Sequence, residues 1–98
     1  MSDELGFLGH QEKDSVAVAV RDVEPGVGTL AFLDSEKRLT VNIPKAIPLG
    51  HKVALVAIPA GSPVIEYGET VGVATQDIAV GELVHVHNIR SNKWQTKA

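Results

Sequence analysis

Three short segments of the sequence share one pattern and decide the fold: residues 47–53 read IPLGHKV, residues 58–64 read IPAGSPV and residues 78–84 read IAVGELV. In each, an aliphatic residue is followed by two residues, a glycine, two more residues and an apolar or valine position. Residues 23–29, VEPGVGT, form a looser copy. A glycine at this place is typical of a tight turn that needs a positive φ before the chain enters a strand. The phrase therefore predicts recurring turns inside one fold, because solenoid units span about 20–50 residues.

The segments between these turns are short, rich in Val and Ile, and bounded by Gly or Pro roughly every 8–12 residues, which is typical of an all-β sandwich or barrel. Strands are predicted at residues 15–20, 29–33, 39–43, 53–58, 64–67, 71–75 and 83–88. Several are apolar on both sides, so we expect them to run through the core of a compact β-clip or small barrel. Little or no helix is predicted.

The two ends of the chain lack the periodicity of the middle. Residues 1–11 are predicted to form a flexible segment unless they dock on the rest of the fold, and residues 90–98 form a basic, polar tail. That tail contains Trp94, the only tryptophan. Such a tryptophan either folds back on its own core or anchors in a pocket of another chain, and the second alternative makes Trp94 a candidate partner-binding residue.

The length of 98 residues predicts a single domain, because chains divide into separate cores only well above roughly 200 residues. A core of this size leaves little space for a walled pocket of about 300–1,000 Å³ that also carries a full set of catalytic groups. The size alone therefore favours a protein that works with a partner.

The composition excludes several functional classes. Because the chain has no cysteine, disulfides, thiolate catalysis and Cys-ligated metal centres are excluded. The net charge of −3 and the 4% aromatic content argue against nucleic-acid binding. An acidic N-terminus and the lack of an apolar run near about 18 residues argue against a signal peptide or a membrane span. We therefore expect a soluble, cytoplasmic protein that contacts neither nucleic acid nor membrane.

His85 and His87 are the first candidates for chemistry. They lie two residues apart in the predicted strand 83–88, so their side chains are expected on the same face. Two imidazoles on one face can ligate a metal, or one can ligate while the other transfers protons. The alternative is a polar, solvated strand face, because two nitrogens do not make a closed metal site.

Two further pairs precede strands. His51 and Lys52 follow the turn glycine Gly50, where Lys52 could pair with a substrate carboxylate and His51 could act as an acid or base. A merely charged turn is the alternative. His10 and Asp14 lie just before the strand at 15–20, where a carboxylate could orient the imidazole, although polar pairs at this spacing are common by chance.

The strand predicted at 64–67 ends in Tyr67, Gly68 and Glu69, a tyrosine and an acid on either side of a turn glycine. Tyr67 and Glu69 are either contacts for a ligand or, respectively, a cap on the core and a solvated carboxylate. The sequence contains no glycine-rich phosphate loop and no serine on a glycine-flanked elbow, which excludes dinucleotide binding and serine hydrolase chemistry as predictions.

Five phrases of the sequence resemble, in order, the small N-terminal domain of the altronate/galactarate dehydratase family, which is itself similar to the small subunit of sulfolactate sulfo-lyase. They are residues 10–20 (HQEKDSVAVAV), 47–55 (IPLGHKVAL), 64–69 (VIEYGE), 71–75 (VGVAT) and 81–88 (GELVHVHN). The resemblance covers residues 10–94. It implies a SAF-type β-clip fold. It also implies a small domain or subunit that accompanies a large catalytic one, in a β-elimination that releases water from a polyhydroxy acid, or sulfite in the sulfo-lyases.

The resemblance also implies roles for the matching positions. It implies catalytic roles for His51, Lys52, His85 and His87. It implies substrate-binding roles for His10, Asp14, Tyr67, Glu69 and Asn88. It implies a divalent metal, iron or manganese, in the assembled enzyme, held mainly by the large subunit with His85 and His87 as the ligands from this chain. An isolated chain could self-associate through the face meant for its partner.

Two positions depart from the family pattern. Ser15 stands where the family usually has Asn, and it still offers a hydroxyl donor and acceptor. Glu66 stands where the family usually has Lys, which reverses a charge. If that position contacts an anionic substrate, Glu66 would repel it, whereas at a solvent-facing position the change means little. Glu66 is also the feature that favours a second hypothesis, a stand-alone module that binds a carbohydrate acid or a metal without catalysis.

Overall fold

A computed structural model describes residues 5–85 and 87–91. All of the helices and strands assigned in this part of the chain are β-strands, and none is a helix. The strands are β1 Leu5–Gly9, β2 Val16–Ala19, β3 Gly26–Phe32, β4 Arg38–Ile43, β5 Lys52–Ala54, β6 Pro63–Glu66, β7 Glu69–Ala74, β8 Leu83–Val84 and β9 Ile89–Ser91. The all-β prediction is confirmed. The same residues include no helix with the length and apolar character needed to cross a membrane.

The strands form two sheets. The larger has the order β4-β3-β1-β2-β5-β8, and the smaller has the order β6-β7-β9. Most neighbours are antiparallel, but β1 runs parallel to β3 and antiparallel to β2. Two clusters of buried aliphatic and aromatic side chains fill the interior, one around Phe7, Leu30 and Val53 and the other around Val16, Val64 and Ile78.

Residues 1–11 were expected to be flexible unless they dock on the rest of the fold, and residues 5–9 do dock, because they form β1 inside the larger sheet. Phe7 provides the reason, because its side chain is completely buried in the core. Two glycines leave space for aromatic rings of the core. A Cβ on Gly28 would lie 2.8 Å from the Phe7 ring, and one on Gly9 would lie 2.9 Å from the Phe32 ring. Long-range burial thus orders a segment whose own sequence has little strand periodicity.

The predicted strands correspond to β2 to β8, with two clear differences. β5 ends at Ala54, whereas the predicted strand continued to residue 58. Leu55 still donates its N–H to the Ser15 carbonyl at 2.7 Å, and the chain bends at that residue. β8 ends at Val84, whereas residues 83–88 were predicted to form one strand. The first residues of the predicted tail, Arg90 and Ser91, belong to β9, which pairs with β7.

The three copies of the glycine phrase fold into the same turn, as predicted. Gly50, Gly61 and Gly81 have φ values of 86°, 88° and 88°. In each copy the residue after the glycine donates its N–H to the carbonyl three residues earlier, at 3.0 Å. This combination defines a type II turn with glycine at the third position, where a positive φ is required.

An aspartate secures two of these turns from the opposite strand. Asp22 accepts the N–H of Leu49 at 2.8 Å, and Asp77 accepts the N–H of Ala60 at 2.9 Å. The residue that follows each aspartate forms an isolated antiparallel bridge with the aliphatic residue that begins the turn phrase. The fold thus uses one local device twice, and the first of the two turns presents His51 and Lys52.

Candidate functional site

The hairpin between β6 and β7 carries an unusual turn. Its two loop residues, Tyr67 and Gly68, have φ values of 59° and 76°. A two-residue hairpin loop with both φ values positive prefers Asn or Gly at its first position. A tyrosine there costs about 1 kcal/mol or more, so the surrounding structure must hold it in place.

Asp14 holds that turn. Its Oδ2 accepts the N–H of Tyr67 at 2.9 Å and its Oδ1 accepts the N–H of Gly68 at 3.0 Å. The next residue extends the connection, because Ser15 donates its N–H to the Ile65 carbonyl at 2.8 Å while the Ser15 hydroxyl accepts the Ile65 N–H at 3.1 Å. Asp14 is 2% exposed, and both of its oxygens are used by the turn rather than by His10.

The tyrosine of this turn lies over a histidine. The rings of His10 and Tyr67 stack with centroids 3.6 Å apart and planes inclined by 20°. Tyr67 nevertheless remains 61% exposed, so its hydroxyl group is available to a ligand or partner. His10 and Asp14, which the sequence paired with each other, therefore meet through Tyr67 instead.

Glu66 lies beneath this stack, facing a lysine and a histidine. The Lys52 Nζ is 3.6 Å from Oε1 and the His10 Nε2 is 3.9 Å from Oε2. The Glu66 side chain is only 10% exposed, so the solvent-facing alternative for this position is wrong. We call His10, Asp14, Lys52, Glu66 and Tyr67 the anchored-turn cluster.

A second group, the histidine cluster, consists of His51, His85 and His87. The His51 and His85 ring centroids lie 5.5 Å apart, and those of His85 and His87 lie 6.1 Å apart. His85 and His87 are not on one face of a strand as predicted, because the chain turns after Val84. The turn still leaves both imidazoles exposed and close to each other.

Asn88 forms that turn. Its side-chain oxygen accepts the N–H of His85 at 2.9 Å, and its amide nitrogen donates to the Leu83 carbonyl at 2.8 Å. Asn88 is 4% exposed. An asparagine that bonds the backbone in this way competes with strand pairing, which explains why β8 is short.

The two clusters adjoin through the consecutive residues His51 and Lys52. Lys52 reaches Glu66, and His51 stacks near His85. Among the described residues, the Nδ1 atoms of His10 and His51 are buried side-chain nitrogens without a hydrogen-bond partner. Each cluster thus contains an imidazole with one buried nitrogen that makes no hydrogen bond.

Two predicted site residues remain. Glu69 is exposed at the start of β7, where it pairs across the hairpin with Glu66 of the anchored-turn cluster. Trp94 lies outside the described residues. A groove of about 380 Å³, lined by Lys45, Asp77 and Glu82 among others, borders His87.

Glu66 stood out in the sequence only as a departure from the family pattern, and its place in the site was not predicted. A signal for it was present in the alternation of β6. Val64 is buried in the core, and side chains two residues apart in a strand share a face, so Glu66 was due to point inward.

The described residues do not fit a metal centre held by this chain alone. In the described ranges, no group of three or more His, Asp or Glu side chains could hold a metal ion. His85 and His87 offer two imidazoles, fewer than the three protein ligands of a typical catalytic zinc site. No chemistry of this chain is therefore routed through a metal.

The fold and site define a class: a small all-β domain, built on repeated glycine turns, that presents a histidine- and lysine-bearing surface next to a pinned hairpin. Within that class, the chain belongs to the family described as the altronate/galactarate dehydratase SAF domain, whose sequence profile matches residues 6–92. The resemblance noted from the five phrases is thereby confirmed.

Two kinds of relative match the chain. It is 35% identical over 92 residues to (2R)-sulfolactate sulfo-lyase subunit alpha of Chromohalobacter salexigens, covering 92% of this chain and 98% of that subunit. It is 34% identical over 86 residues to altronate dehydratase of Bacillus subtilis, covering 88% of this chain but 16% of that enzyme. With altronate dehydratase of Escherichia coli the identity is 43% over 79 residues, 81% of this chain and 15% of the enzyme. The chain thus spans a small part of the dehydratases and nearly all of the sulfo-lyase subunit.

Proposed function

We propose that the chain is the small subunit of a sugar-acid dehydratase of the altronate/galactarate type, acting by β-elimination together with a separate large subunit. The observation that carries the proposal is the near-complete overlap with a relative named as a subunit, combined with family membership over residues 6–92. In altronate dehydratase of Bacillus subtilis the matching region makes up only 16% of the enzyme. The rest of that enzyme is the model for the large catalytic partner proposed here.

The chemistry of β-elimination assigns work to both clusters. A base removes the proton next to the substrate carboxylate, the electron pair forms a C=C bond, and hydroxide leaves with a proton from an acid as water. The resulting enol converts to the 2-keto-3-deoxy acid. This chain supplies only part of that machinery, so the isolated subunit is expected to be inactive.

The histidine cluster is proposed to move protons. Imidazole is the side chain most often used to transfer protons in enzymes, and this cluster brings three of them together, those of His51, His85 and His87. His51 lies immediately before β5, where its backbone is fixed because its N–H bonds the Pro48 carbonyl and its carbonyl accepts the Ala19 N–H. The His51 and His85 ring centroids lie 5.5 Å apart, so both imidazoles belong to one small region of the surface.

The anchored-turn cluster is proposed to bind substrate. Tyr67 offers an exposed hydroxyl for a sugar hydroxyl, and Lys52, with a side chain 41% exposed, offers an ammonium for a carboxylate. Asp14 acts as a positioning residue, because both of its oxygens are engaged by the Tyr67–Gly68 turn. A divalent metal, iron or manganese, and a cytoplasmic setting remain part of the proposal, with the metal assigned mainly to the large subunit.

The test is reconstitution. The tagged chain is expressed with the large subunit encoded in the same genome, purified as a complex, and assayed for formation of a 2-keto-3-deoxy acid from altronate and galactarate. The double variant His85→Gln/His87→Gln should assemble normally and lose at least about 100-fold in kcat, as expected for lost acid–base groups. Thr40→Ala, an exposed position on β4, serves as the matched control. Unchanged kinetics in the double variant would remove these residues from the site.

A second function, the small subunit of a sulfolactate sulfo-lyase, is favoured by the 98% coverage of such a subunit. The same complex assayed with sulfolactate would then release sulfite rather than water. A chain that captures no large subunit and binds sugar acids alone would instead support the stand-alone binding module.

A further inference from the structure

The site contains two buried carboxylates that are stabilised in different ways. Asp14 accepts two backbone N–H groups, so its charge serves the hairpin turn. Glu66, which is 8% exposed, accepts no hydrogen bond from any described residue and instead faces the ammonium of Lys52 and the imidazole of His10. Burying a charge costs free energy unless an opposite charge compensates it. The ammonium of Lys52, and the imidazole of His10 when it is protonated, therefore offset the charge of Glu66.

The charges of the anchored-turn cluster can be counted from its members. Lys52 is the fixed cation, and Glu66 and Asp14 are the two carboxylates, while His10 adds a positive charge only when it is protonated. The cluster is therefore neutral or negative. A ligand carboxylate that approaches Lys52 meets an ammonium whose charge Glu66 already offsets at 3.6 Å.

We propose that Glu66 acts as an internal anion that restricts this site to substrates carrying one anionic group. The inference rests on the proposed function and names its substrate class: sugar acids with a single carboxylate and otherwise neutral hydroxyl groups. The anchored-turn cluster has no net positive charge, so a dicarboxylic sugar acid, or an acid that also carries a sulfonate, is disfavoured more strongly than an acid with one anionic group.

The first experiment compares substrates in the reconstituted complex. The wild type should turn over a monocarboxylic sugar acid with a kcat/KM at least about tenfold above that for a dicarboxylic one or for sulfolactate. Glu66→Gln keeps the shape and removes the charge, so it should shift that ratio about tenfold toward the dianions, a size expected for one charge at this separation in a partly exposed site. Glu24→Gln, which removes an exposed acid just before β3 and outside both clusters, should change the ratio less than twofold.

The second experiment does not depend on catalysis. The amide NMR signals of the full chain, those of Lys52 and Tyr67 in particular, are followed at constant ionic strength during addition of sulfate, a dianion, or acetate, a monoanion. Glu66→Gln should bind sulfate about tenfold more tightly than the wild type, with a smaller gain for acetate. Glu66→Thr, a strand-compatible neutral residue, repeats the test if the glutamine variant is not folded.

The two experiments separate the possible failures. A complex that turns over no sugar acid contradicts the proposed function, and the sulfate titration then decides the inference alone. An active wild-type complex that prefers dianions overturns the inference and leaves the proposed function standing. Equal sulfate affinity in the wild type and the neutral variants, including no binding by either, also overturns it.

Discussion

The anchored-turn cluster and the histidine cluster adjoin through a single peptide bond, between His51 and Lys52, but they are held in place in different ways. In the first, the turn is fixed by a buried carboxylate with two hydrogen bonds and by a further pair of bonds from Ser15 to Ile65. In the second, a two-residue strand is followed by a turn that one asparagine side chain secures.

The difference separates two demands on a site. Groups that recognise charge must keep fixed distances, because electrostatic interactions change steeply with position in a partly buried setting. Groups that transfer protons need less rigid support, provided that they tighten when substrate and partner are present. The following three substitutions test whether the two clusters behave as separate structural units.

The largest effect is expected for Asp14→Ala. It leaves the Tyr67 and Gly68 N–H groups without their acceptor and releases a strained turn, so it should lower the free energy of unfolding by about 2–4 kcal/mol. Urea denaturation measures this directly. Asp22→Ala, which removes a single exposed bond to Leu49, should cost about 1 kcal/mol. Equal losses in the two variants would contradict the anchoring role.

An intermediate effect is expected for Asn88→Ala. Loss of two hydrogen bonds from a buried amide should cost about 1–3 kcal/mol and should separate His85 from His51. NMR of the histidine ring protons measures the change of environment. The signal of His10, in the other cluster, should stay in place, and Asn42→Ala on the exposed side of β4 is the control. A shift of His10 as large as that of His85 would show that the clusters are one unit.

The smallest effect is expected for Tyr67→Asn, and its sign is opposite. Asparagine tolerates a positive φ better than tyrosine, so the backbone gains up to about 1 kcal/mol, offset in part by loss of the stack on His10. Thermal unfolding should therefore show an unchanged or slightly higher Tm, while KM of the reconstituted enzyme rises. A clear fall in Tm would show that the tyrosine is retained for stability.

Much of the fold could be predicted from local sequence. The glycine phrase fixed the turns because only glycine adopts their φ without strain, and the Val- and Ile-rich segments gave most strands. β1 could not be predicted, because the order of residues 5–9 depends on burial of Phe7 against distant strands. The strand expected at 83–88 was wrong because Asn88 bonds the backbone of His85, a tertiary choice that alternation does not reveal.

The candidate site was predictable as a list of residues and not as an arrangement. The histidines, Lys52 and Tyr67 stood out by residue type next to turns. Asp14 is separated from its partner Tyr67 by 53 residues, a pairing that no local pattern encodes. Its spacing from His10 suggested an acid–base pair, whereas the structure uses it to hold a turn.

The threefold use of one glycine turn separates what holds a turn from what the turn displays. The two positions after the glycine carry His-Lys in the first copy, Ser-Pro in the second and Glu-Leu in the third. In the first two copies an aspartate elsewhere in the chain secures the turn. In the third copy Glu82 itself accepts the N–H of Ala79 at 2.8 Å. The second copy is therefore the one to which the dipeptide at 51–52 can be transplanted without loss of a side-chain bond that holds the turn.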